Sequence, residues 1–241
     1  MLTVNNIVKR FGGVTALAGV DLEIAKGEVL GLIGPNGSGK TTLVNCISGV
    51  LEIDEGEIVL EGRRITRAAR ARRARAGLAR TFQNPRLFAE LTVRENVAVG
   101  LNALAARPAR GDDRVDALLA RLGLVEYDRT VVSSLPYGYQ RRVEIARALA
   151  GRPVVLLLDE PAAGLNDGET AGLRDLLREL RRDDEISIIV IDHDMSLIMG
   201  VSDRIQVLDE GQVIFMGAPA DAFKQRHVVE AYLGTSDAAP G

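Results

Sequence analysis

VLGLIGPNGSGKTT, residues 29–42, is the stretch on which the fold turns. Val29–Ile33 is wholly apolar apart from one glycine and reads as a buried strand, and a glycine-rich turn then opens a helix from about Lys40. Gly34-Pro35-Asn36-Gly37-Ser38-Gly39-Lys40-Thr41 has the spacing G-x-x-x-x-G-K-[ST], in the strand–turn–helix setting which that pattern needs. The glycines let the backbone curl so that successive N–H groups face phosphate oxygens, and the helix N-terminus adds a favourable dipole. Lys40 then reaches the outer phosphates, and the Thr41 hydroxyl, with Thr42 beside it, supplies a ligand for Mg²⁺.

Outward from this loop the chain alternates. Val20–Ile24 has period-two polarity and, across the break Ala25-Lys26-Gly27, joins Val29–Ile33 as two strands around a turn. Gly49 is placed to cap the helix. Glu57–Leu60 reads as a short strand, and Arg67 to about Ala76 as helical. From Thr92 to Ala150 there are helix signals and no convincing strand, which predicts a helical insert. Val154–Leu158, Ile186–Ile191 and Arg204–Leu208 are apolar and separated by helical stretches, so a parallel sheet covered on both faces is expected. The turn Asp209-Glu210-Gly211 leads to Gln212–Met216 as a hairpin partner, and Thr235–Gly241 is expected to fray.

The run Leu156–Leu158 ends in two carboxylates, Asp159 and Glu160. Alone, Asp159 could equally cap the following turn. Beside a phosphate loop it fits the strand-end carboxylate that a magnesium ion requires, and Glu160 can polarise an attacking water. A second acid next to the first points to hydrolysis rather than to transfer onto a bound hydroxyl.

The totals narrow the rest. The 241 residues are 46% hydrophobic and 26% charged, ordinary for a soluble globular chain. A formal charge of −3 argues against a dedicated nucleic-acid binder. Arg63, Arg64, Arg67, Arg70, Arg72, Arg73, Arg75 and Arg80 form a dense basic run, but no aromatic lies among them, and a solvated helix face is expected. Cys46 is the sole cysteine, which suits a reducing compartment. MLTVNNIVKRFGG has no apolar region of signal-peptide type, and no apolar run nears the ~20 residues of a membrane span. A cytosolic chain is expected.

Further motifs now fall into an order. Gln83 stands in Thr81-Phe82-Gln83-Asn84, and Leu135-Pro136-Tyr137-Gly138-Tyr139-Gln140 opens a helix whose Val143, Ala146, Leu149 and Ala150 share a face. Pro161–Asn166 follows Glu160, His193 stands in Ile191-Asp192-His193-Asp194-Met195, and Phe11 lies near the N-terminus. Together with the phosphate loop these resemble, over nearly the whole chain, the ATP-binding subunits of ABC transporters. The resemblance implies an α/β fold of the P-loop NTPase class: a RecA-like core, an antiparallel β-subdomain and a helical subdomain carrying the signature. It implies boundaries near 1–85, 86–150 and 151–241. It implies ATP and Mg²⁺ as cofactors, with the metal at Thr41, Gln83 and Asp159. Glu160, His193, Gln83 and Lys40 would act in catalysis. Phe11 would stack on adenine, while Pro136, Tyr137, Gly138 and Gln140 would serve the nucleotide of a facing subunit.

Where that family usually has Leu-Ser-Gly-Gly-Gln, this chain has Pro136, with neither hydroxyl nor N–H, and Tyr137 in place of the first glycine. Either Pro136 merely stiffens the start of the helix, or this signature completes a weakened site and the partner is a different ATPase. Asn166 likewise stands where many members carry aspartate. Within the family the resemblance is to the ATPases of branched-chain amino-acid importers, carried by Tyr137-Gly138, Gln140–Arg147, Asp159–Asn166, Met199–Ile205 and Ala231–Gly234. It implies integral-membrane permease partners, a peripheral place on the cytoplasmic face of the inner membrane, and no nucleic acid. A permease coupling element would dock near Arg86–Val93, with Leu87 and Phe88 either exposed to receive it or packed into the core. Lipopolysaccharide-export ATPases are the second reading. A non-transport ABC ATPase of the chromosome type would place a long coiled coil between Thr41 and Asp159, which stand only 159 − 41 = 118 positions apart.

Overall fold

The computed structural model describes residues 1–104 and 111–233. The chain runs β1 (Leu2–Phe11), β2 (Val14–Ile24), β3 (Val29–Ile33), α1 (Lys40–Ser48), β4 (Glu55–Leu60), β5 (Arg63–Arg64), α2 (Arg70–Arg75) and β6 (Leu78–Arg80). Helices α3 (Val93–Val99), α4 (Gly111–Arg121) and α5 (Tyr137–Ala150) follow. The remainder is β7 (Val155–Asp159), α6 (Asp167–Asp184), β8 (Ser187–Ile191), α7 (Met195–Val201), β9 (Arg204–Asp209), β10 (Gln212–Gly217), α8 (Pro219–Ala222) and α9 (Arg226–Leu233).

Two sheets result. One is antiparallel, in the order β2-β1-β4-β5; the other has the order β10-β9-β3-β8-β7-β6. In the second sheet every pairing is parallel except that of β10 with β9, the hairpin expected from Asp209-Glu210-Gly211. The central parallel strands β3, β7 and β8 show why their sequences are almost unbroken apolar runs. Side chains alternate across a strand, and here each face meets its own core. Val29, Ile33, Leu156, Leu158, Ile188 and Val190 join one cluster, with the apolar faces of α3, α5, α6 and α7. Leu30, Leu32, Val155, Leu157, Ile189 and Ile191 join the other, with α1 and the antiparallel sheet. The described residues of the 86–150 stretch hold helices and short 3-10 turns, with strand pairing limited to a bridge between Thr92 and Val131.

Several local expectations are revised. Val20–Ile24 and β3 flank a turn, as read, but they belong to different sheets; the partner of β2 is β1, which the sequence reading missed. The pattern of β1 breaks at Asn5-Asn6, where the register shifts and Asn6 turns to a positive φ of 49°, its N–H held by the Asp21 carboxylate at 2.7 Å. The three-residue β6 was likewise too short to show periodicity. The Arg67–Ala76 helix shrinks to α2. Gly49 caps α1 in the left-handed conformation as expected, and at the end of α5 Gly151 is the C-cap at φ −74° with Arg152 taking the left-handed turn. Leu87 is half-buried against the core, and Phe88 is exposed. Residues 235–241 lie outside the described residues.

The arginine run is not uniformly solvated. Arg73 is buried and donates to the carbonyls of Cys46 (2.7 Å), Ile47 (2.6 Å), Thr66 (2.7 Å) and Ala68 (2.9 Å). The last carbonyls of any helix lack intrahelical donors, and Arg73 supplies them for α1. Arg80, at the end of β6, is the second exception. Burial pushes the Cys46 thiol up to about 11, which makes it a core side chain and not a nucleophile.

Candidate functional site

The carboxyl ends of neighbouring parallel strands are the usual crevice of an open α/β sheet. Here β3 ends at Ile33 before Gly34, β7 at Asp159, β8 at Ile191 before Asp192 and His193, and β6 at Arg80 before Gln83. Gly34 takes φ 146°, and a Cβ there would run into the Leu208 carbonyl, so no other residue fits. Gly39, at φ 103°, starts α1 with no side-chain cap and no acid in the first turn. The helix therefore presents bare N–H groups and an uncompensated dipole.

Ser38 is buried, Asn36, Gly37 and Thr41 are exposed, and Gly34, Pro35, Lys40 and Thr42 are half-buried. The Lys40 ammonium turns back onto the carbonyls of Gly34 and Pro35, both at 2.8 Å. Burial pulls it below the usual lysine range, against the attraction of Glu160 and Asp159. Bare amides, a cation and glycines held at positive φ are what a polyphosphate needs, so the nucleotide fits the residues present.

Across from the loop, Asp159 is buried and its Oδ2 accepts from Arg80 at 2.7 Å. Glu160 has a left-handed φ of 47°, with its N–H donating to the Ile191 carbonyl at 2.7 Å. The Gln83 amide donates to Glu160 Oε2 at 2.7 Å. His193 Nδ1 lies 4.0 Å from the same oxygen, beyond hydrogen-bond range, on a ring whose side chain is 76% exposed. Asp192, buried between them, accepts from the Ala162 and Asp194 amides at 2.9 Å each and so sets both loops. Lys40, Gln83, Asp159, Glu160 and His193 are thus gathered at one sheet end. Phe11 pairs with Val14 at the tip of the β1–β2 hairpin, 46% exposed with Lys9 Nζ 5.4 Å from its ring centre. Further down the hairpin, the Ala16 carbonyl closes on Gly39. Among the described residues, no group of three acidic, histidine or cysteine side chains is placed so as to hold a metal ion. For Mg²⁺ this suffices, since the ion usually takes one or two protein ligands and completes its shell with phosphates and water.

The start of α5 is a separate unit. Pro136 is the N-cap at φ −55° and ψ 151°, and its carbonyl accepts from Tyr139 and Gln140 at 3.1 Å each. The Gln140 amide folds back onto the Leu135 carbonyl at 2.8 Å. Tyr137 lies over Gly164 and donates to the Gln83 carbonyl at 3.3 Å, and a Cβ at Gly138 would displace the Glu169 carboxylate. None of these partners is in the 34–42 loop. Asn166 is a helix cap: its Oδ1 accepts from the Glu169 amide at 3.0 Å, and Glu169 reciprocates at 3.0 Å.

One turn into α5 stands a pair that the sequence reading missed. Arg141 is 1% exposed and donates to the carbonyls of Phe82 and Gln83 at 2.6 Å each, to Glu144 at 2.8 Å and to the Tyr137 hydroxyl at 3.0 Å. Glu144 accepts in turn from the Phe82 amide at 3.0 Å. Burial holds its carboxyl above the usual range despite the guanidinium beside it. The pair clamps α5 to the Gln83 loop, and through Gln83 to Glu160. Two charges three positions apart, flanked by Val143, Ile145 and Ala146, were the available signal.

Comparison with known proteins agrees with this architecture. Residues 17–163 match the ABC transporter family. The chain is 43% identical to the high-affinity branched-chain amino acid transport ATP-binding protein LivG of Salmonella typhimurium, over 97% of this chain and 98% of that one. It is 39% identical to the corresponding protein BraF of Pseudomonas aeruginosa, over 97% and 98%. Among solved structures, the ADP conformation of MJ1267, an ATP-binding cassette of an ABC transporter, superposes with a TM-score of 0.86 at 34% identity, covering 97% of this chain and 98% of that one. From phosphate loop to signature helix, the chain is a nucleotide-binding ATPase subunit of the ABC transporter family.

Proposed function

We propose that this subunit hydrolyses MgATP between itself and a second, different cassette, and so powers a permease that imports branched-chain amino acids. The observation that carries the chemistry is the meeting of Lys40, Asp159, Glu160 and Gln83 at one sheet end. The cargo reading is supported by near full-length similarity to LivG and BraF.

In this reading the amides of residues 37–42 and the Lys40 ammonium bind the phosphates, and Phe11 packs against adenine. Thr41 and Asp159, with Gln83 near, would hold Mg²⁺, which when bound would offset the negative charge of the phosphates. Glu160, oriented by Gln83, accepts a proton from the water that attacks the terminal phosphorus, as the bond to the ADP oxygen breaks and phosphate leaves. His193 is free to swing toward that phosphate. Pro136 offers no hydroxyl and no N–H to a facing nucleotide, which is the reason for assigning a partner with a different signature. No helix of the described residues is long and apolar enough to cross a membrane. In this reading the permease holds the subunit on the cytoplasmic face of the inner membrane, which the similarity to LivG and BraF supports.

Purification from native membranes in mild detergent is expected to bring down two permease chains and a second cassette. Cells lacking the gene are expected to lose uptake of labelled leucine, isoleucine and valine. Normal uptake of all three, with a different permease co-purifying, would overturn the cargo while leaving the ATPase intact. Lys40→Ala is expected to weaken ATP binding about 10–100-fold, the worth of a charge-assisted contact. Equilibrium binding of a fluorescent ATP analogue measures it, and unchanged affinity would remove the phosphate-loop assignment.

A further inference from the structure

We propose that Arg80 is a positioning residue for the divalent cation, a brace that holds helix α1 at a set distance from the end of β7. The inference rests on reading Thr41 and Asp159 as the metal's protein ligands. The Arg80 side chain is only 7% exposed. Its Nη1 donates to Asn45 Oδ1 at 2.6 Å and to Ser48 Oγ at 2.9 Å, and its Nη2 donates to Asp159 Oδ2 at 2.7 Å. Thr41, Asn45 and Ser48 stand at i, i+4 and i+7 of α1, which places all three on one helical face. The guanidinium therefore ties the face that carries Thr41 to the carboxylate that would share its ion.

Chain packing alone gives no reason for a charge here. A buried ion pair can usually be exchanged for apolar side chains of similar size at little cost in stability. In this setting Arg80 even leaves its Nε without a partner. What the planar fork provides, and a point charge does not, is simultaneous grip on two elements. Mg²⁺ gains most from that grip, because it demands a near-ideal octahedron at about 2.0–2.1 Å, whereas Ca²⁺ accepts looser shells at about 2.3–2.6 Å. Arg80 should thus contribute to preference between the two ions as well as to affinity.

The test is binding of a fluorescent non-hydrolysable ATP analogue to the full chain, without divalent cation and in titrations of Mg²⁺ and of Ca²⁺. For Arg80→Met, metal-free binding is expected to stay near the native value. The Mg²⁺ concentration that gives half the metal-dependent gain should rise about 10–100-fold, the usual effect of losing a partner behind a ligand. The Ca²⁺ requirement should move less. Asn45→Ala, which cuts the brace at its other end and leaves the Arg80–Asp159 pair in place, should show the same order of effects at smaller size, and it decides the matter if Arg80→Met does not fold. Equal shifts for both ions, no shift, or a metal-free loss as large as the Mg²⁺ effect would overturn the brace. A native chain whose nucleotide affinity does not respond to Mg²⁺ would instead overturn the metal-ligand reading, and the brace with it.

Discussion

Glu160→Gln is expected to bind ATP as tightly as the native chain and to turn it over about 10²–10⁴-fold more slowly, the span that general-base assistance covers. The amide matches the carboxylate in size and keeps an oxygen for the Gln83 donor that now reaches Oε2 at 2.7 Å. Geometry is therefore preserved while the proton acceptor is lost. In free energy this is about 3–5 kcal/mol on the barrier. Phosphate release measured on the assembled complex, alongside analogue binding, separates the two quantities. Turnover near the native rate would mean that another group activates the water, and that the contact with Gln83 is incidental to the reaction.

Arg141→Met is expected to cost about 3–5 kcal/mol of stability, the usual result of breaking one side of a buried ion pair. Glu144 would be left without its guanidinium in a place where burial already raises its pKa. The carbonyls of Phe82 and Gln83 would lose their donors as well. At about 2–4 °C per kcal/mol for a chain of this size, the melting temperature should fall by roughly 6–20 °C. Thermal unfolding by circular dichroism measures it. Replacing Glu144 by Leu in the same chain should recover part of the loss, because no unpaired charge then remains. A melting temperature unchanged by Arg141→Met would show that the Gln83 loop holds its shape without α5.

Much of this site was legible in the sequence, because its parts are local. A strand, a glycine turn and a helix within residues 29–48 announce a phosphate loop by spacing alone, and Asp159-Glu160 closing an apolar run is equally local. The less legible parts are those in which one residue acts on a distant stretch of chain. Arg73 and Arg80 lie in the same basic run as Arg70 and Arg72, and composition does not distinguish an arginine facing water from one facing the carbonyls of Cys46 and Ile47. Arg141 and Glu144 looked like an ordinary helical pair until the fold brought residues 82–86 against them. Strand β1 was hidden for another reason: the bulge at Asn6 interrupts the alternation by which a strand is recognised.

The backbone at Glu160 bears on how such a chain can change over time. Its left-handed turn is a conformation in which glycine is at ease and a carboxylate-bearing residue is not. Replacement by glycine would relieve that local discomfort and yield a sturdier protein with an idle engine. In the proposed mechanism, backbone ease and water activation therefore make opposite demands on this one position.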